Sequence, residues 1–227
     1  DHDQAIDYYH RALDVCEEEG DRSSAATAIL SIGEVMADTG DHAQALVYHR
    51  RALSIFEELG DKDGVAMMYG NIVRCLLALE RDEEAEVLLE QQSTMPMLRP
   101  NLQARHLDNR AILAERRGDL DAAHDLLTRS LAIAIDIGIR EDIASGHGML
   151  RDLAQKRNDF AGYIEHNNAF LRVSEEIRGK EVTQRLATME AERKMESERS
   201  EREKERALLY GALPRPIADR LVRGEQI

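Results

Sequence analysis

Gly40-Asp41-His42-Ala43-Gln44-Ala45-Leu46-Val47-Tyr48-His49-Arg50-Arg51-Ala52-Leu53-Ser54-Ile55-Phe56-Glu57-Glu58-Leu59-Gly60-Asp61 is the stretch whose reading decides the fold. Ala45, Leu46, Tyr48, Ala52, Leu53 and Phe56 form the apolar face of an amphipathic helix over 42–58. Gly-Asp stands at both ends. Glycine tolerates the left-handed conformation that a helix terminus often needs, and the aspartate caps the following helix by accepting its orphan backbone N–H groups. Upstream, over 23–39, Ala26, Ile29, Ile32, Val35 and Met36 make the apolar face of a second helix. The unit is therefore a helix pair. Small residues such as Gly33 and Ala45 let the two helices approach, while Tyr48 and Leu53 fill the space around them. Each such large side chain contributes roughly 1.5–3 kcal/mol when buried.

Laid over itself at a 40-residue offset, the chain repeats this unit. Ala5, Tyr8, Ala12, Leu13 and Val15 return as Ala45, Tyr48, Ala52, Leu53 and Ile55; Gly20-Asp21 returns as Gly60-Asp61, and Ala26 and Ile32 as Ala66 and Ile72. A third copy keeps Ala85 and Leu88. After a 38-residue step, a fourth holds Gly118, Asp119, Ala123, Leu126, Leu131, Ile133 and Gly138. A fifth keeps Asp159, Leu171 and Val173, with Tyr163 where the others have Ala. Two places depart from the pattern. Arg110 falls where Ile32 and Ile72 predict an apolar side chain, and Pro96 and Pro100 forbid a continuous helix near 94–100.

The Ile32-Gly33, Met36, Gly40-Asp41, Ala45 and Ala52 pattern resembles the tetratricopeptide repeat in a 40-residue form. The resemblance implies an all-α, right-handed solenoid of antiparallel helix hairpins over 1–178, about four and a half units with a break near 94–100. It also implies that the first helix of each pair lines a groove holding a peptide or protein. Carried over by register, the lining positions are Leu30, Glu34 and Asp38, then Gly70, Arg74 and Ala78, then Asp108, Ile112 and Arg116, then Gly148, Asp152 and Lys156. Arg105 joins Arg74, Arg116 and Lys156 as a candidate cation for the ligand. The alternative for these charges is plain solvation on helix surfaces.

Composition agrees with a binding array. Aromatics are 4% of the 227 residues and Trp is absent, which suits helices that bury one face against their neighbours. The net charge of −14 comes from 1–179, with 34 acidic and 19 basic residues; 180–227 holds 10 and 11. An acidic array repels nucleic acid and anionic lipid at long range, so neither is an expected partner. No apolar run approaches a membrane span, and a cytoplasmic location follows, with Cys16 and Cys75 as reduced thiols. The eight histidines show no HxxxH spacing and no cysteine at ligand distance, and His147, between Gly146 and Gly148, reads as a mark of close helix packing. No phosphate loop, GxSxG or grouped Ser/His/Asp is present. The chain itself is therefore expected to be non-catalytic, without cofactor or metal.

Beyond Gly179 the character changes. Residues 180–210 lack proline and glycine, are densely charged and carry i,i+4 pairs such as Glu190–Lys194. They predict a long charged helix over 179–210. A heptad trace runs through Val182, Leu186, Met189, Arg193, Glu196, Ser200, Glu203, Ala207 and Tyr210, apolar at its ends and polar in its middle. Such a seam makes a weak coiled coil and a possible homodimer contact over 180–210.

Ala207-Leu208-Leu209-Tyr210-Gly211-Ala212-Leu213-Pro214-Arg215-Pro216-Ile217-Ala218-Asp219-Arg220-Leu221-Val222-Arg223-Gly224-Glu225 follows. It resembles the segment that precedes the catalytic domain of class III adenylate and guanylate cyclases: a charged helix, a Leu-Leu pair leading to a Leu-Pro turn, then a short Ile-Ala-x-Arg-Leu helix. The resemblance implies that 211–227 is a linker to an absent catalytic domain, and that the parent forms cyclic AMP or cyclic GMP, a phosphorus-oxygen lyase reaction requiring a divalent metal. The chain would then be its sensor and transmitter, with Leu208, Leu209, Tyr210, Leu213, Ile217 and Leu221 passing on a change in helix pairing. The competing reading is a stand-alone tetratricopeptide scaffold or peptide sensor with no linked enzyme.

Overall fold

The computed structural model describes residues 2–95 and 99–212. They are all-α, with no strand among the described residues. The order is α1 (His2–Glu19), α2 (Arg22–Asp38), α3 (His42–Leu59), α4 (Lys62–Ala78), α5 (Asp82–Ser93), α6 (Pro100–Arg116), α7 (Leu120–Ile137), α8 (Arg140–Lys156) and α9 (Phe160–Ala212). Two compact units divide the chain between Val173 and Ser174. No helix among the described residues is long and apolar enough to cross a membrane.

The Gly-Asp punctuation does what its chemistry suggests. Asp21, Asp41, Asp61, Asp119 and Asp159 each accept a hydrogen bond from the backbone N–H three residues on, all at 3.0 Å. The position before the cap is left-handed even where it is not glycine: Asn158, before Asp159, is at φ 57° and Glu80, before the uncapped start of α5 at Arg81, is at φ 58°, as Gly60 is at 69°. After Ser93 the chain breaks as the prolines require, and α6 restarts with Pro100 in its first turn and no side-chain cap.

The repeated apolar positions form the core. Ala26, Ile29, Ile32, Ala52, Phe56 and Met68 join one cluster; Ala45, Ile72, Val73, Leu76, Leu77 and Ala85 join the next. Gly33 serves close approach, because a Cβ there would lie 2.7 Å from the His49 ring. His49 is fully buried with neither ring nitrogen hydrogen-bonded. Burial first, then the charges of Arg74 and Arg105, hold its pKa down to about 4.

Arg110 is exposed where Ile32 and Ile72 are buried. The helix behind it explains the exception: α5 has 12 residues against the 18 of α3. A cleft of about 500 Å³ opens there, lined by Glu86, Leu89, Arg110, Leu113, Arg117 and Leu126 among others. Its Arg117 already donates twice to Glu86, at 2.6 Å each.

The charged helix expected over 179–210 is part of a longer one. α9 starts at Phe160, passes Gly179 and ends at Ala212, so the first two residues of the expected 211–227 linker are helical. An isolated glycine costs a helix only about 1 kcal/mol. Val182, Leu186 and Met189 are exposed. Leu208, Leu209 and Tyr210 lie in α9; Leu213, Ile217 and Leu221, with the short terminal helix expected around them, lie outside the described residues.

Candidate functional site

Three of the residues carried over by repeat register, with the candidate cation Arg105, meet in one cleft of about 230 Å³. Arg74 from α4 and Arg105, Asp108 and Ile112 from α6 line it, together with Asn101, Ala104, Asn109, Ser130, Ala134, Asp142, Ser145 and Met149. Gly70 makes room for Arg105, whose stem would lie 3.3 Å from a Cβ at that position. The guanidinium then donates to Asn71 Oδ1 at 2.7 Å. Burial and the neighbouring Arg74 lower the Arg105 pKa, against opposing pulls from Glu34, Asp142 and Asp108. A guanidinium nevertheless stays charged.

Asp108 is the anomaly in this cleft. Its Oδ1 is buried and accepts no hydrogen bond. Burial raises its pKa and Asp142 adds to the rise, while Ser130 and Arg105 oppose it. The Ser130 hydroxyl lies nearby but donates to the Ala104 carbonyl at 3.1 Å. Asn71 Nδ2 is likewise buried and unpaired. An acceptor and a donor left unmatched, beside two guanidiniums, are costly to hold without a ligand that completes them.

The other candidates are arranged differently. Glu34 is half-buried and acts on Arg105 through its charge; Asp38 is exposed at the last turn of α2. Arg116 is tied down within the chain, donating to Asp82 Oδ1 at 2.6 Å and to the Leu77 carbonyl. Lys156 pairs with Glu115, and Asp152 with Arg151 at 2.7 Å.

Several polar residues of this region were not singled out by sequence. Asn109 donates to the Gly70 carbonyl at 3.0 Å, and Gln92 to the Ala66 carbonyl at 2.9 Å. His106 Nδ1 meets Gln92 Oε1 at 2.8 Å, and its Nε2 meets Ser93 Oγ at 3.2 Å. The Gln92 amide N–H is given to Ala66, so its oxygen accepts and His106 Nδ1 carries the proton. Burial, then the charge of Arg110, lowers the His106 pKa to about 4. A signal existed: Asn71 and Asn109 stand 38 residues apart, as do Gln92 and Ser130, the same step that relates the third and fourth repeats.

Residues 1–58 and again 24–92 match the tetratricopeptide repeat family, so this part of the chain is a tetratricopeptide-repeat domain. No curated protein matches the chain by sequence. Among solved structures, BtubC (BKLC) of P. vanneervenii is 21% identical, with a TM-score of 0.59 over 79% of this chain and 75% of that one. A kinesin light chain with nearly identical TPR-like repeats from Podosopora anserina is 14% identical, TM-score 0.52, over 78% and 88%. The apo form of RapI is 13% identical, TM-score 0.55, over 77% of this chain and 59% of its own length. At these identities the likeness is one of fold.

Proposed function

We propose that the repeat array is a capture module that holds an extended peptide, or a peptide-like segment of a partner protein, in the Arg74–Arg105–Asp108 cleft. The unpaired Asp108 Oδ1 carries this reading. An extended backbone supplies N–H groups for Asp108 and carbonyls for arginine donors, and a ligand carboxylate would match the guanidiniums. A tetratricopeptide-repeat domain is a scaffold suited to such binding. Fluorescence polarisation against a library of extended peptides tests it. Asp108→Ala and Arg105→Ala should each weaken capture at least tenfold, and Asp108→Ala should leave thermal stability equal or higher, since it removes an unsatisfied buried carboxylate. Full capture by both variants would refute the reading.

We further propose that this module acts in the cytoplasm as the regulatory segment of a class III nucleotide cyclase. The support is the resemblance over 207–225. On this reading the ligand biases the pairing of two copies along 180–210, where Val182, Leu186 and Met189 are exposed, and the bias is passed onward. A ligand shifts such an equilibrium only by its differential affinity for the two pairings. The stand-alone scaffold, with the same groove and no linked enzyme, draws equal support from the fold. The gene beyond Ile227 separates them: a strand of the Phe-x-Asp-Ile-x-Gly-Phe type favours the cyclase, and a stop codon the scaffold. If a full-length protein with 181–206 replaced by a stable leucine zipper kept normal ligand regulation, transmission through this helix would be wrong.

A further inference from the structure

Two histidines that the sequence keeps apart come together at the α8–α9 pair. His147 lies on α8 between Gly146 and Gly148, and His166 lies in the second turn of α9, nineteen residues on. Their Nδ1 atoms are 3.1 Å apart, with ring centroids 5.4 Å apart and planes tilted by 38°. Both belong to the first compact unit. Without a metal, two Nδ1 atoms in contact hold one proton between them, one ring donating and the other accepting.

We propose that His147 and His166 form a two-imidazole site for a divalent cation of the zinc class, which clamps α8 to the start of α9. The spacing supports this: an ion about 2.0–2.1 Å from both nitrogens would subtend about 100°, between octahedral and tetrahedral values. Imidazole donors select zinc, copper or nickel over magnesium or calcium. Burial lowers the pKa of both rings. His166 and Arg172 add to the effect at His147 and His124 at His166, while Glu165 opposes it at both and Asp159 at His166. The neutral ring is the form that ligates, and Glu165 adds negative charge beside both.

Among the described residues no three His, Cys, Asp or Glu side chains converge. The chain therefore supplies two ligands and water the rest, so binding is weaker than at a closed four-ligand centre. On binding, the donating ring moves its proton from Nδ1 to Nε2.

The test uses the whole chain, free of tags and stripped with chelator, titrated with zinc chloride and separately with magnesium chloride. Zinc, and not magnesium, should raise the melting temperature. His147→Gln and His166→Gln should each lower zinc affinity at least tenfold and remove that shift, while His2→Gln changes neither. In the wild type, long-range proton–nitrogen spectra should show the two Nδ1 resonances moving on zinc addition. This readout stands even if a glutamine variant fails to fold. Zinc affinity retained in the double variant, movement of Nε2 in place of Nδ1, or no zinc binding at all would overturn the proposal.

Discussion

Ala52 and Gln92 occupy the same register on opposite sides of α4, and the two junctions they anchor differ in kind. Ala52 is fully buried in an apolar cluster with Ile29, Ile32 and Met68. Gln92 is just as buried, yet it bridges the Ala66 carbonyl and His106. Asn109 and Ser130 make the same kind of bond to the backbone of a preceding helix. One junction is held by shape and area, whose energy varies smoothly with small displacements. The other is held by directional bonds that are either made or left buried and unmade.

The largest effect should come from the apolar side. Ile32→Ala, at a position with no exposure, should cost about 2–5 kcal/mol, read as a shift in the urea midpoint. A loss nearer that of a surface substitution would show that this junction relaxes around cavities.

Acid should act next, and on both sides. His49 and His106 hold pKa values of about 4 in the fold against about 6.5 unfolded. Between these values the unfolded chain binds more protons, so stability falls as pH drops from about 6.5 to about 4, by up to about 1.4 kcal/mol per pH unit for each ring. Above that window neither ring contributes to the pH slope. His49→Leu, copying Leu89 of the next repeat, should flatten the slope in urea titrations at pH 7, 6 and 5 by up to about 1.4 kcal/mol per pH unit.

Gln92→Leu should cost about 1–3 kcal/mol by stranding the buried His106 Nδ1–H and removing the second bond to the Ala66 carbonyl. Adding His106→Met, the residue Met68 supplies one repeat earlier, should recover part of that loss. A double variant as unstable as the sum of the singles would deny that the two residues act together. The smallest effect is at the punctuation. Glu80→Gly should raise the melting temperature by the equivalent of under about 1 kcal/mol, since relief of a left-handed residue is partly offset by the entropy of the added glycine.

The helix pairs were legible because Ala26, Ala66, Ile32 and Ile72 are chemically alike at one period, and all four are buried. The polar echo had a matching period but unlike members, Gln92 and Ser130, so a comparison keyed to apolar identity passes over it. The cleft was half legible. Register finds Arg74, Asp108 and Ile112, and charge adds Arg105, but nothing local shows that Arg116 and Lys156 are engaged by Asp82 and Glu115, 34 and 41 residues away. Asp142 and Ser145, from α8, reach the same cleft across a helix boundary that repeat register does not cross. The His147–His166 contact joins unequal positions of neighbouring helices, which no periodicity describes.

The bonds from Gln92 and Asn109 to carbonyls of α4 have a consequence for alignment. Sliding α6 along α4 by one helical turn, about 5.4 Å, would bring one apolar side chain opposite another at modest cost, but would leave the buried amide of Asn109 without its partner. The seam therefore acts as an indexing pin. It fixes the register of the α4–α6 pair, which holds Arg74 of α4 opposite Arg105 and Asp108 of α6.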